Sequence, residues 1–323
     1  MNCAKHQPPH EPGRADRLQQ LVRFGIAVSL LMATIGCWYR LPSVEPVTLM
    51  PALPVPFTKP AAGTFTYGST IRFGVDSLPA DLQLEYSTDD GRHWQTGDSL
   101  LLQTGTTLQL RSRRGAFVSA IRTGTYIVGF KRVLLVGNSI TAHVPDTAVG
   151  WLGNWGMAAS SPATDYVRLL TGRLRTLDSQ VVVKTYDAVP FEQRFWTFDY
   201  QRVRSLAAFK PDLVVMRIGE NVPVNSLTTQ NFKREYQRLI DSLTVQYAPV
   251  KIVCTTSFFD RPATSDIIRQ VAAERKLFLA DFRGLVNNRS FQAYDRFKDP
   301  GVAMHPGDRG MLVITDLIWD KVH

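Results

Sequence analysis

Residues 130–323 predict an α/β fold, a doubly wound parallel sheet of five strands between two helical layers. Two observations carry this. From Lys131 onward, short apolar runs alternate with amphipathic stretches. Polar segments follow three of those runs directly, as at the carboxyl edge of such a sheet, where ligands sit. Upstream, residues 64–129 show several short extended segments and no helical periodicity, which predicts a small β-sandwich domain ahead of the α/β part.

The head, residues 1–40, predicts a signal peptide or membrane anchor. Phe24–Tyr39 is almost wholly apolar behind a basic leader, but its sixteen residues fall short of the ~20 that span a bilayer as a helix. The expectation is an exported chain of the cell envelope, touching membrane only through this segment. Ile35-Gly36-Cys37 faintly resembles a lipoprotein cleavage site, with Thr34 where that signal has Leu. Residues 41–63, rich in proline, read as an extended linker.

In the β module, Leu82–Tyr86 alternates, Asp89-Asp90-Gly91 marks a turn, and His93–Gln95 resumes extended structure. Leu100–Gln103, Thr107–Ser112 and Ala120–Val128 follow. The phrase EYSTDDGRHWQ resembles a strand–turn–strand element of immunoglobulin-like modules in secreted carbohydrate-active proteins. That resemblance implies glycan binding; a plain spacer is the alternative.

In the α/β part, predicted strands are Val133–Val136, Val181–Thr185, Leu213–Ile218, Val250–Thr255 and Leu277–Ala280. Ser161-Pro162 predicts a helix start, with Val167, Leu170, Leu174 and Leu177 on one face. Phe195–Phe209, Thr228–Tyr247, Pro262–Arg275 and Asp308–Val322 complete the predicted helices.

Composition bounds the function. The net charge of +9 contains no Lys/Arg-rich run, so nucleic acid is not an expected partner. Three cysteines, Cys3, Cys37 and Cys254, fit neither a zinc site nor a disulfide framework. No phosphate-loop or dinucleotide fingerprint accompanies Gly137-Asn138-Ser139.

Three polar segments share the predicted carboxyl edge: Gly137–Thr141, Tyr186–Glu192 and Gly219–Asn221. His305, just before the last helix, can reach the same edge. Ser139 is therefore a candidate nucleophile and His305 the candidate base, with His143 a nearer but less favourably placed rival. Asn221 and the Ser139 backbone N–H are candidate oxyanion donors. The Gly- and Trp-rich loop carrying Trp151 and Trp155 should overhang the site and either bind substrate or pack on the domain. Glu192 is a candidate substrate contact or substitute acid.

Gly137-Asn138-Ser139-Ile140-Thr141, Gly219-Glu220-Asn221 and His305-Pro306 resemble the first, third and fifth conserved blocks of the SGNH (GDSL-like) hydrolase family, from about Lys131 to the C-terminus. The resemblance implies a flavodoxin-like α/β hydrolase acting on esters, without metal or organic cofactor. Ser139 would be nucleophile, His305 general base and Asn221 an oxyanion donor. Asn138 replaces the family's usual Asp and is a candidate substrate contact. The second block lacks its glycine donor, and Ala188 is the nearest substitute. Val302 stands where the family has its aspartate, so the expected orienting group for His305 is Asp299 or a backbone carbonyl; without either, the imidazole would lose tautomer control. The expected activity is hydrolysis of O-acetyl or related esters, on a glycan or small molecule, through an acyl-enzyme on Ser139. Lipase- or thioesterase-like activity and a non-catalytic glycan binder are the alternatives.

Overall fold

The computed structural model describes residues 52–244 and 249–323. The predicted export or anchor segment, Cys3, Cys37, the linker up to residue 51 and Tyr247 lie outside them. Among the described residues no helix is long and apolar enough to cross a membrane.

Nine strands come first: β1 (Phe57–Lys59), β2 (Gly63–Thr66), β3 (Thr70–Gly74), β4 (Gln83–Ser87), β5 (Gln95–Thr96), β6 (Ser99–Leu101), β7 (Thr106–Arg114), β8 (Phe117–Val118) and β9 (Arg122–Gly129). They form a three-stranded sheet, β1-β3-β6, and a six-stranded sheet, β2-β9-β7-β4-β5, with β8 paired to β7. Strand pairing starts inside the predicted linker, because Phe57–Lys59 aligns antiparallel with Arg72–Gly74. The two sheets meet through Ile71 and Phe73 on one side and Leu84, Leu108 and Leu110 on the other, and the Phe73 and Tyr86 rings lie 5.4 Å apart.

The remaining strands, β10 (Arg132–Gly137), β11 (Val182–Asp187), β12 (Leu213–Met216), β13 (Lys251–Thr255) and β14 (Phe278–Ala280), form one sheet in the order β11-β10-β12-β13-β14. Every pairing in it is parallel. Helices α1 (Tyr166–Leu177), α2 (Val189–Arg194), α3 (Arg204–Ala208), α4 (Phe232–Thr244), α5 (Pro262–Glu274), α6 (Pro300–Ala303) and α7 (Asp308–Val322) connect and cover these strands. This is the flavodoxin-like order, whose chain reversal lies between β10 and β12.

Successive residues of β10 point to opposite faces, and each face has its own core. Val133 and Leu135 pack with Leu170 and Leu174 of α1 and Met311, Ile314 and Ile318 of α7. Leu134 and Val136 pack with Phe232, Tyr236, Leu239 and Ile240 of α4 and Ile268 and Val271 of α5. The first of these cores continues without a break into Tyr67, Tyr126 and Phe130 of the upstream part, and Ala52–His323 forms one compact unit.

Several helical expectations need correction. The start of α1 is set by Asp165, whose carboxylate accepts from the Arg168 N–H at 2.8 Å, while Ser161-Pro162 opens only a single turn of 3₁₀ helix. Residues 195–209 form two 3₁₀ turns and α3 instead of one helix, because Phe198 is extended and Asp199 caps a new start. Part of the segment predicted as the second edge loop, Tyr186–Glu192, is helical: α2 starts at Val189 with Pro190 in its first turn.

Candidate active site

β10 delivers its last residue, Gly137, into a crowded turn. A Cβ there would lie 1.8 Å from Thr141 Oγ1 and 3.3 Å from the Arg217 carbonyl oxygen, so only glycine fits. The turn closes as the Thr141 and Ala142 N–H groups donate to the Asn138 carbonyl at 2.7 and 3.1 Å. Ser139 is left half-buried at the strand's carboxyl end, beside the reversal between β10 and β12.

His305 arrives from the far end of the chain. Its Nε2 lies 2.9 Å from Ser139 Oγ, and its Nδ1 lies 2.6 Å from the Gly301 carbonyl oxygen. A carbonyl only accepts, so Nδ1 carries the proton and Nε2 is the lone-pair nitrogen facing the hydroxyl. Burial holds the imidazole pKa down at about 4, while the Gly301 hydrogen bond opposes that shift. The ring is also packed edge-on against Phe259, centroids 5.1 Å apart. His143 instead places its Nδ1 2.7 Å from the Val144 carbonyl oxygen.

Asp299 is not the imidazole's partner. Its Oδ1 accepts from the Val302 N–H at 2.9 Å and caps α6, the turn that presents the Gly301 carbonyl. Val302, at the position where an aspartate was sought, is buried with Trp151, Met157, Ala158 and Ala293. That apolar cluster joins the loop after Ser139 to the segment before His305. Trp151 belongs to it, 2 % exposed, with its ring 5.4 Å from that of Trp155 and its Nε1 donating to the His143 carbonyl. Trp155 donates its Nε1–H to the Ala159 carbonyl at 2.9 Å. Both tryptophans brace the loop, the packing alternative; buried Trp151 is corrected as a substrate contact, while Trp155 is half-buried.

The Ala188 N–H donates to the Gly137 carbonyl at 2.6 Å and is thereby consumed, so it is no oxyanion donor. The Ser139 N–H has no hydrogen-bond acceptor among the described residues. Asn221, exposed at the turn after β12, donates one hydrogen of its side-chain amide to Glu192 at 2.8 Å. The structure thus brings Ser139 and His305 together, links the Asn221 turn to Asn138, the residue before Ser139, through Glu192, and separates Asp299 and Ala188 from those roles.

Beneath the site lies a polar cluster that sequence reasoning resolved only in part. Asn138, Glu192, Arg217 and Glu220 are all buried. The Arg217 guanidinium donates to Glu220 at 2.9 Å and to the Asn138 side-chain oxygen. The Asn138 amide donates to Glu220 at 2.7 Å and to both oxygens of Glu192 at 3.2 and 3.1 Å. Neither Asn138 nor Glu192 reaches the surface, so the expected substrate contacts are corrected to internal ones. Burial raises the Glu192 pKa, and the neighbouring Glu220 carboxylate adds to the effect. Arg217 and Glu220 were missed as participants. The available signal was an arginine inside an otherwise apolar strand, three residues before a glutamate.

Serine, imidazole and amide at the carboxyl edge of a flavodoxin-like sheet define the class of SGNH-type hydrolase domains. The model of the GDSL-like lipase/acylhydrolase family matches residues 135–313, and the chain belongs to that family. Among solved structures, a two-domain esterase active on acetylated mannans is similar at 16 % identity and a TM-score of 0.41, over 59 % of this chain and 48 % of that one. The chain thus spans about half the length of that esterase. Axe2, an acetylxylan esterase from Geobacillus stearothermophilus, is 19 % identical with a TM-score of 0.37, over 59 % of this chain and 94 % of its own. The psychrotrophic esterase EstA from Pseudoalteromonas sp. is 14 % identical with a TM-score of 0.37, over 59 % and 96 %. No curated protein matches the chain.

Proposed function

We propose that the protein is a serine esterase that removes O-acetyl or similarly small acyl groups through an acyl-enzyme on Ser139. The observation that carries this reading is the line from the Gly301 carbonyl through the imidazole to Ser139 Oγ, at 2.6 and 2.9 Å. Nε2 takes the hydroxyl proton as Oγ attacks the acyl carbon. The oxyanion is received by the Ser139 N–H and the second amide hydrogen of Asn221. Collapse expels the alcohol, which leaves with the proton from Nε2, and water repeats the sequence to release the acid. The Gly301 carbonyl fixes the tautomer that an aspartate fixes in a triad, without that group's negative charge.

A hydroxylated substrate such as an acetylated glycan is supported by the cleft beside Gly307, two residues after His305. It is an open groove of about 740 Å³ lined by Arg289, Tyr294, Arg296 and Arg309 among other polar groups, and it neighbours the site through Gly307, with neither Ser139 nor His305 in its lining. Such a lining suits a hydrated ligand better than an alkyl chain. The reading includes export, with the apolar segment 24–39 as leader or tether.

Purified protein and its Ser139→Ala variant should be compared on p-nitrophenyl acetate and on acetylated oligosaccharides. The wild type is expected to hydrolyse both, with no activity above background in the variant. The lack of a carboxylate on His305 favours a second reading, a glycan binder with an inert cleft. Equal rates in the two proteins, with retained oligosaccharide binding, would establish that reading instead.

A further inference from the structure

The turn after β12 presents three consecutive backbone N–H groups to a single oxygen. Gly219, Glu220 and Asn221 donate to Glu192 Oε1 at 2.6, 3.0 and 3.4 Å. Successive amides arranged this way form a concave anion site. Gly219, at φ +135°, supplies the backbone conformation that side-chain-bearing residues rarely adopt. The anion in this site belongs to the protein. Glu192 comes from α2, is fully buried, and uses its second oxygen, Oε2, to accept from the Asn221 side-chain amide at 2.8 Å and from Asn138 at 3.1 Å. Each hydrogen-bond partner of this carboxylate is a donor. It therefore reads out the position of Asn221 twice, at the backbone and at the side chain, and ties both to the residue preceding Ser139.

We propose that Glu192 is the positioning residue of the oxyanion hole: an internal anion, seated on the amides of the β12 turn, that fixes the side-chain amide of Asn221 relative to Ser139. The proposal rests on the esterase reading above. It also accounts for how two donors are held in register although the second block contributes none, its Ala188 N–H being spent on Gly137. Glu192 touches no reacting atom; it acts through Asn221.

Glu192→Gln separates this role from simple packing. The isosteric amide can still accept from the turn with its oxygen, but its NH2 then faces the NH2 groups of Asn221 and Asn138, donor against donor. Asn221 must turn its amide or move. The measurement is kcat and KM on p-nitrophenyl acetate for wild type, E192Q, N221A and E192Q/N221A, each normalised to the fraction of molecules that react with a phosphonate active-site reagent. The expected result is a kcat for E192Q lower by about ten- to a hundredfold, KM within about twofold, and a double variant no slower than N221A alone.

An E192Q enzyme with wild-type kcat per active molecule would overturn the proposal. So would losses that multiply in the double variant, because the carboxylate would then act independently of Asn221. If E192Q does not accumulate folded, E192D enters the same cycle, its reach one methylene shorter, and its kcat loss must likewise vanish on the N221A background. A wild type with no activity would sink the esterase reading itself, which is a different outcome from an active wild type with an indifferent E192Q.

Discussion

His305 leans on the Gly301 carbonyl, four residues before it, at 2.6 Å. The carboxylate of Asp299 points instead to the Val302 N–H and holds the short helix from which that carbonyl projects.

Asp299→Asn should therefore change kcat by less than about threefold, since Asn caps as well as Asp. In a Ser-His-Asp triad the corresponding change costs about ten-thousandfold. Asp299→Ala should lower stability by about 1 kcal/mol, the usual cost of a lost cap, read in a denaturant melt. A loss of several orders of magnitude in kcat with Asn would return the carboxylate to the reaction.

The imidazole must be neutral to accept the serine proton, and burial places its pKa at about 4. The pH profile of kcat/KM should run level from neutral pH to about 5 and fall to half near 4. Stability follows the same group. Between its ordinary 6.5 and about 4 the unfolded chain binds the proton first, so the stability this histidine contributes above 6.5 is lost as pH falls through that window. The loss is on the order of 3 kcal/mol. A His305→Gln variant should lack that part of the acid sensitivity in urea melts between pH 7 and 4.

Asn221→Ala removes one of two oxyanion donors and should lower kcat by about a hundred- to a thousandfold with little change in KM. Stability should fall by about 1–3 kcal/mol, because the buried Glu192 carboxylate loses one of its donors. An unchanged kcat would mean that the oxyanion lies elsewhere.

Trp151→Ala should destabilise the protein by about 3–5 kcal/mol through the cavity it leaves. It should impair activity through loss of the loop geometry more than through substrate affinity. A stable variant with a raised KM on oligosaccharides alone would restore the tryptophan to the substrate-binding surface.

The parallel sheet was legible because a strand covered on both faces must be apolar at every position, as Val133–Val136 is. The last helix was legible to the residue, Asp308–Val322, since one stripe faces the core. The start of α4 was placed too early at Thr228. Asn231 sits at φ 52° and caps Arg234 at 3.1 Å, a local choice that an apolar stripe does not register. Of the site, the serine, imidazole and amide could be read because each stands at a strand or helix end with chemistry to offer. The orienting group was not readable as a residue type, because a main-chain carbonyl leaves no mark in the sequence. Glu192 misled for a related reason. A carboxylate beside a predicted loop suggests solvent or substrate, and only the fold shows a neighbouring turn with three amides waiting for it.

Phe130 and Tyr67, rings stacked 5.9 Å apart, share a core with Leu170 and Ile318 of the catalytic part. At Gly68 a single added methyl carbon would collide with Pro249 of that part. The nine leading strands therefore belong to the heat capacity and melting of the whole unit Ala52–His323. Severing the polypeptide near residue 130 would bare a greasy wall along α1 and α7, and the freed hydrolase half would be expected to clump. Where this catalytic segment travels in evolution or in the laboratory, its β-rich forerunner must travel with it, or that wall must be redesigned.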